Sequence, residues 1–349
     1  MADTVWVLGS SGRTGRGIAR ALHARGVPLV LAGRSAARLA GLAAELDAEV
    51  REGPLEEILG ALGRAAPGVV VNTVGPFTTT APAVARACPP GTHYVDVANE
   101  LSAFESLLAL DAVVARERRT VVTGAGFGVV AGEGVVLDLV ADRPAPERVR
   151  VAVLPSVAAE EGTVGAALAG TIVGQLPEGG RTVRDGRMVR SAPVGATEVL
   201  TTPDGDEVPT TAAPFGELLA AWRASGAREV VAASSLAPSG LVVRLVTPVA
   251  GVLLRVPGAT TLATSALARV PMRAAERPRP HSWAHARATW ADGSTDERWL
   301  RLGDAMDVTV AAAAGTTMRL LGSTGRPGAF LPGALFGTGL ALEAGGVWA

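Results

Sequence analysis

The chain has 349 residues, a formal net charge of −1 and a pI near 6.5. That length exceeds one ordinary core and predicts two domains, while the balanced charge, with no Lys/Arg-rich block, excludes electrostatic recognition of nucleic acid. One cysteine, Cys88, excludes an internal disulfide framework, and with no leader ahead of the first strand the expected compartment is the cytoplasm.

Thr4-Val5-Trp6-Val7-Leu8 reads as a buried strand. It breaks into Gly9-Ser10-Ser11-Gly12-Arg13-Thr14-Gly15, after which Ile18, Ala21 and Leu22 mark one face of a helix. Glycines there let the backbone turn tightly and approach a pyrophosphate at the helix N-terminus. The spacing GxxGxxG departs from the stricter GxGxxG, so an ordinary strand-to-helix turn is the competing reading, and strand and helix context argue against it. The next strand, Pro28 to Ala32, ends in Gly33-Arg34-Ser35. A carboxylate at that point would suit the ribose hydroxyls of NAD. A guanidinium suits the 2′-phosphate of NADP, which it meets with two donors, and no acid follows in the sequence until Glu45. Arg13 stands either by the cofactor phosphates or in solvent.

The alternation continues with a helix over 36–46, a short strand Glu49-Val50-Arg51, a helix over 55–62, a strand over 68–72 and a helix over 81–87. His93 to Val97 is strand-like, and Ser102-Ala103-Phe104-Glu105 has the capping-box pattern for a helix to about Arg118. Thr120 to Thr123 is a further strand. This order predicts an α/β, doubly wound Rossmann domain with a parallel sheet over residues 1–126.

Beyond Gly128 the pattern changes. Arg148 to Leu154 is a strand, and Glu161-Gly162-Thr163 opens a small-residue helix to about Leu176. Asp185-Gly186 and Asp292-Gly293 each sit between β-compatible runs, as hairpin turns do. Residues 127–349 are therefore predicted as an α+β substrate domain with antiparallel hairpins, its Gly/Pro-rich tail from Pro327 packing back on the first domain. Leu241 to Val270 is markedly apolar, but Arg244, Pro248, Arg255, Pro257 and Arg269 interrupt it short of the ~20 residues a spanning helix needs. It reads as buried helix, a wall of an apolar cavity, or a peripheral membrane contact.

Ligands of doubly wound sheets bind beyond the carboxyl ends of the strands. That rule selects Asn72-Thr73-Val74-Gly75-Pro76-Phe77 and Gly124-Ala125-Gly126-Phe127-Gly128 for the nicotinamide end of the cofactor. It also selects the segment with the chain's one tyrosine, Tyr94, whose strand neighbour Asp96 shares its face while His93 and Val95 share the other. A phenol and a carboxylate so placed could orient a substrate or pass a proton, so Asp96 and Tyr94 are the candidate catalytic pair; a core tyrosine and a turn-capping aspartate are the alternative. His281 and His285 stand four apart with no acidic or cysteine partner nearby in sequence, so no metal site is expected. Cys88 reads as a small buried hydrophobe.

Val70 to Phe77, Ala87-Cys88 and Gly91-Thr92-His93-Tyr94-Val95-Asp96 together resemble the saccharopine dehydrogenase-like reductases, in particular the bacterial branch that includes trans-acting enoyl reductases of lipid synthesis. Glu161-Gly162-Thr163, Pro214-Phe215-Gly216-Glu217-Leu218 and Pro327 to Pro332 extend the likeness more loosely over most of the chain. The resemblance implies an NADP-binding Rossmann domain joined to a substrate domain, with hydride transfer in the cleft between them. Two departures stand out. Where relatives often carry a polar run after Gly126-Phe127, this chain has Gly128 to Glu133; where they often carry Gly-Tyr, it has Ala305-Met306. Both changes predict a less polar pocket. The expected function is an NADPH-dependent oxidoreductase of secondary metabolism that reduces a C=C, C=O or C=N bond of an apolar, polyketide- or lipid-like small molecule. The alternatives are reduction of an amino-acid-derived imine, with Arg223, Arg228 and Arg244 as carboxylate partners, and a non-catalytic NADP-binding regulatory protein. A homodimer is compatible with either.

Overall fold

The computed structural model describes residues 3–159, 161–238, 247, 249–254, 256, 258–322 and 324–349, with the side chains at 166–168, 171, 175 and 178 left aside. The chain divides into two compact units, Met1–Gly126 with Met306–Phe336, and Phe127–Ala305 with Gly337–Ala349.

The first unit alternates β1 (Val5–Leu8), α1 (Arg13–His23), β2 (Leu29–Gly33), α2 (Ala36–Leu46), β3 (Glu49–Glu52), α3 (Leu55–Ala65), β4 (Val69–Asn72), α4 (Phe77–Ala87), β5 (His93–Asp96), α5 (Leu101–Leu108), α6 (Asp111–Arg116) and β6 (Thr120–Val122). β1, β2, β4 and β6 are short, mainly apolar runs buried on both faces, as parallel strands covered by helices are, whereas the edge strand β3 is polar and largely exposed. Their sheet runs Gly328–Phe330, β6, β5, β4, β1, β2, β3, and all pairings are parallel. Register makes the carboxyl ends level: Leu8 pairs with both Ala32 and Asn72, and Asn72 pairs with Asp96. Gly9, Thr73 and Val97 therefore leave the sheet along one edge, with Arg34 one step beyond Gly33.

The edge strand Gly328–Phe330 comes from the far end of the chain. It pairs with β6, and Ala329 N–H donates to the Asp111 carboxylate at 2.9 Å. Before it, the helix Ala305–Leu321 packs Ala313, Ala314 and Leu320 into the same core as Val5, Ile18 and Leu31. The sequence predicts a second domain over 127–349 with its tail from Pro327 packing back on the first; by compactness, residues 306–336 group with the first unit and 337–349 with the second. Residues 306–336 return through a strand that extends the first unit's sheet and an apolar helix face packed into its core.

Other local differences have local causes. The helix predicted from Ala81 begins at Phe77. The capping box at Ser102 is not realised: α5 starts at Leu101, its N-cap is Glu100, and a break at Ala109-Leu110 separates it from α6. Gly162–Thr163 form a two-residue strand, and the helix expected to open at Glu161 begins at Gly165 and runs to Gln175.

The second unit contains α7 (Phe127–Val140), β7 (Arg148–Leu154), β8 (Gly162–Thr163), α8 (Gly165–Gln175), β9 (Gly180–Arg184), β10 (Arg187–Ser191), β11 (Thr197–Thr201), β12 (Glu207–Ala212), α9 (Gly216–Ser225), β13 (Glu229–Ser234), a helix Ala259–Ala268, β14 (Pro271–Met272), β15 (Ser282–Thr289), β16 (Thr295–Leu302) and β18 (Val347–Trp348), the strand Gly328–Phe330 counting as β17. Its main sheet runs β10, β9, β13, β7, β15, β16, β18, with β11–β12 attached to β13; only β13–β7 is parallel. Both Asp-Gly turns are hairpins, and the first has positive φ at Asp185 (48°) and Gly186 (68°), as a two-residue primed turn requires. Helix α7 is buried through Phe127 and Val129–Val136. In the apolar stretch 241–270, residues 241–246, Pro248, Arg255 and Pro257 lie outside the described residues, Arg244 among them. Among the described residues no helix is long and apolar enough to cross a membrane.

Candidate functional site at the carboxyl edge of the parallel sheet

The turn after β1 is built for close backbone approach. Gly9 has φ +83°, and a Cβ there would lie 2.6 Å from Thr73 Oγ1; a Cβ on Gly15 would lie 2.6 Å from the Gly9 carbonyl oxygen. Gly12 N–H donates to Gly9 O at 2.9 Å, and Gly12 is the N-cap of α1 with no side-chain cap. The helix N-terminus thus has no capping hydroxyl. The two serines differ. Ser10 is fully buried and its hydroxyl donates to Val7 O at 2.5 Å, so it closes the turn from inside, while Ser11 is partly exposed. Thr14 donates to the Met306 thioether at 3.5 Å. Arg13 opens α1 and is partly exposed.

Arg34 is exposed at the end of β2, and its guanidinium makes no ion pair with any described residue. Ser35 is the N-cap of α2 but makes no side-chain cap; instead Ala36 N–H donates to Glu52 Oε1 at 3.0 Å. Glu52 ends β3, opposite Gly33 in the parallel register. An acid therefore does stand beside the end of β2, where the adenosine ribose or its 2′-phosphate is expected from the sequence. Linear reading missed it because it comes from the neighbouring strand; the signal available was β3 itself, aligned with β2. Glu45, the first acid after Arg34 in sequence, is instead bound to Arg20 on the surface at 2.8 Å.

The three segments selected at β4, β5 and β6 meet in one hydrogen-bond network. Asn72 Nδ2 donates to Tyr94 Oη (3.2 Å), and Tyr94 Oη donates to Asp96 Oδ2 (2.9 Å). Asp96 also accepts from Thr123 Oγ1 (2.9 Å), Gly124 N–H (2.9 Å) and Ala98 N–H (3.0 Å). Asn72 Oδ1 accepts from Val74 N–H, and Thr73 Oγ1 donates to Leu8 O. Tyr94 and Asp96 share a strand face as the alternation predicts, but Asn72, Tyr94, Asp96 and Thr123 have essentially no exposed surface. Burial raises the Asp96 carboxyl to about 6 against the opposing pull of its donors, and burial with the neighbouring Asp96 charge pushes the Tyr94 phenol well above its usual range. The pair that the sequence offered for proton transfer has no solvent-exposed face and links strand ends.

Gly75-Pro76 is a cis peptide that leads into α4. Gly126 and Phe127 are buried, and Gly126 sits 3.6 Å, by its virtual Cβ, from the Val97 carbonyl oxygen. Residues 129–136 of α7 are likewise buried, so most of the departure from relatives at 128–133 falls on packed helix positions. His93 turns to β6, its Nδ1 accepting from Thr120 N–H at 2.9 Å. Cys88 is buried, and burial lifts its thiol to about 12. His281 and His285 lie before and within β15, where four residues advance roughly 13 Å. They bind Asp204 (2.8 Å) and Glu297 (3.0 Å) respectively, and no metal-ligating group forms among the described residues. Arg223 is exposed, and Arg228 is tied to Asp185 and Glu147 at the surface, so these two offer no convergent carboxylate pocket.

Residues 5–122 match the family model described as the saccharopine dehydrogenase NADP binding domain. No curated protein matches the sequence. Among solved structures, the apo form of saccharopine dehydrogenase (L-Glu forming) from Saccharomyces cerevisiae superposes with a TM-score of 0.61 at 14% identity, covering 98% of this chain and 96% of that one. A short-chain dehydrogenase from Streptomyces avermitilis has a TM-score of 0.31 at 18% identity over 35% of this chain and 65% of that one. The FolM alternative dihydrofolate reductase 1 from Brucella suis has a TM-score of 0.30 at 16% identity, over 34% and 71%. Residues 5–122 thus match an NADP(H)-binding domain like that of saccharopine dehydrogenase, in a chain similar in fold to that enzyme.

Proposed function

We propose that the chain is an NADPH-dependent reductase, with its cofactor laid along the carboxyl edge of the parallel sheet. The observation that carries this reading is the level register of β1, β2 and β4, which brings the Gly9–Gly15 turn, the unpaired Arg34 and the Asn72–Gly75 segment to one edge. The backbone of Gly9, Ser10, Ser11, Gly12, Arg13, Thr14 and Gly15 takes the pyrophosphate. Arg34 and Ser35 take the 2′-phosphate, and Thr73, Val74, Gly75, Gly126 and Phe127 border the nicotinamide half. The cofactor supplies hydride; the protein holds and orients it. Asn72, Tyr94 and Asp96 are positioning residues that fix where β4, β5 and the Gly124–Gly126 turn stop. The proton comes from water or from the substrate.

For the acceptor, a C=N bond of an amino-acid-derived imine is favoured by the whole-chain likeness to the L-Glu-forming saccharopine dehydrogenase. An apolar, polyketide- or lipid-like acceptor is the second reading, favoured by the Met306 thioether that replaces a more polar pair and lies against Thr14. Loss of NADPH absorbance with two panels separates them: 2-oxo acids mixed with amino acids, and enoyl thioesters. Turnover of the first supports the imine reading and turnover of the second alone the apolar one. Tight NADPH binding with no turnover on either, or on simple ketones, leaves a regulatory NADP-binding protein and overturns the reductase.

A further inference from the structure

The β9–β10 hairpin gathers positive charge that the linear sequence disperses. Arg181, Arg184, Arg187 and Arg190 stand three apart, and Asp185 is the one acid between Gly180 and Ser191. Register sets the arginines in cross-strand pairs: Arg187 lies opposite Arg184, and Arg190 opposite Arg181. Like charges directly opposite one another destabilise a sheet. On β7 and β15, by contrast, every arginine has a carboxylate: Arg148 pairs with Glu229, and Arg150 and Arg287 share Glu198. The four hairpin arginines make no ion pair with a described residue, and Asp185 is held by Arg228 at 3.1 Å. Arg184, Arg187 and Arg190 are exposed.

β10 is also the end of its sheet. Among the described strands it pairs with β9 alone, and no backbone group of 187–190 bonds elsewhere among the described residues. Charged side chains guard such edges against self-pairing, but a guard does not call for arginines on the inner strand β9 as well. Alternation says what fits the edge. Positions 187 and 190 are three apart, so their side chains take opposite faces of the ribbon, where one small anion cannot bridge them. An extended chain laid along β10 repeats that alternation, and its residues beside Arg187 and Arg190 are also three apart. The hairpin has no aromatic ring on which a base could stack, which argues against a nucleic acid strand. A second copy paired edge to edge through β10 would set arginine against arginine. We propose that β10 takes an extended acidic segment of a partner protein as a further strand. Carboxylates three residues apart then meet Arg187 and Arg190, with Arg184 and Arg181 adding charge from β9.

Fluorescence anisotropy with the full chain and a labelled eight-residue Thr/Val peptide carrying two glutamates three apart tests this. The peptide is expected to bind at low salt and to be released as salt is raised. Moving the glutamates to two apart puts both on one face and is expected to weaken binding about fivefold. Replacing a central valine of the peptide by proline removes a ladder donor and is expected to weaken it about tenfold. Arg187→Gln and Arg190→Gln are each expected to cost about fivefold, with NADPH affinity unchanged and the melting temperature unchanged or raised. No binding of the peptide at low salt overturns the proposal. Binding indifferent to the glutamate spacing, the proline or the arginines overturns it too, as mere charge attraction. So does tighter binding of an eight-nucleotide oligothymidylate through the same arginines, or a dimer in sedimentation velocity that Arg190→Gln dissociates.

Discussion

Tyr94 donates its phenolic hydrogen to Asp96 Oδ2 at 2.9 Å while accepting one from Asn72, and all three residues are wholly buried. One hydroxyl therefore joins the last residue of β4 to the last residue of β5. Tyr94→Phe would leave a buried amide hydrogen and a carboxylate oxygen each short of a partner. We expect a loss of about 1–3 kcal/mol in urea unfolding. If Tyr94 were instead the proton donor, turnover would collapse with stability unchanged.

Asp96 gives the stability a pH dependence of definite sign. Burial raises its carboxyl from the usual 3.8 to about 6, so the fold favours the neutral form. That contribution is complete below 3.8 and is lost as pH rises through about 6, roughly two pH units or about 3 kcal/mol. The stability of wild type relative to Asp96→Asn should therefore fall between pH 4 and pH 7 by about that amount. A difference that stays flat with pH would show that the donors around Asp96 offset its burial, and one that rises with pH that they outweigh it.

Arg34 is expected to select NADPH over NADH. Arg34→Ala removes charge-assisted bonds to a phosphate and should raise the NADPH Kd about 10- to 100-fold, with NADH little affected. Fluorescence titration of both cofactors measures it. Equal losses for the two would place the 2′-phosphate elsewhere.

Glu52 is expected to work against a 2′-phosphate bound at Arg34. Its carboxylate occupies Ala36 N–H, the first backbone donor of α2, next to Arg34. Glu52→Gln should tighten NADPH about fivefold by removing a like charge, most clearly at low salt, and leave NADH unchanged or weaker. A weaker NADPH complex would mean that Glu52 supports cofactor binding.

Gly15→Ala would place a methyl 2.6 Å from Gly9 O and 2.9 Å from Gly9 C, both backbone atoms that cannot step aside alone. The turn must open, so NADPH binding should be lost together with about 1–3 kcal/mol of stability. A structure-neutral Gly15→Ala that binds NADPH normally would contradict the close packing of α1 on the turn.

The sequence by itself determined the parallel domain, because apolar four-residue strands alternating with helices leave little other choice, and it determined the cofactor, because Gly9–Gly15 and Arg34 follow β1 and β2 directly. Asp185-Gly186 and Asp292-Gly293 likewise announced their hairpins through local turn chemistry. Tertiary structure alone decided whatever depends on register between distant segments. Glu52 meets Ala36 because β3 pairs with β2, and Gly328–Phe330 crosses the chain to complete the sheet of the first unit. Asp96, readable as a proton carrier from its strand position, is filled by donors from Tyr94, Ala98, Thr123 and Gly124. Alternation along a strand fixes which face a carboxylate takes, but only the packed neighbours decide whether that face meets a ligand or the core.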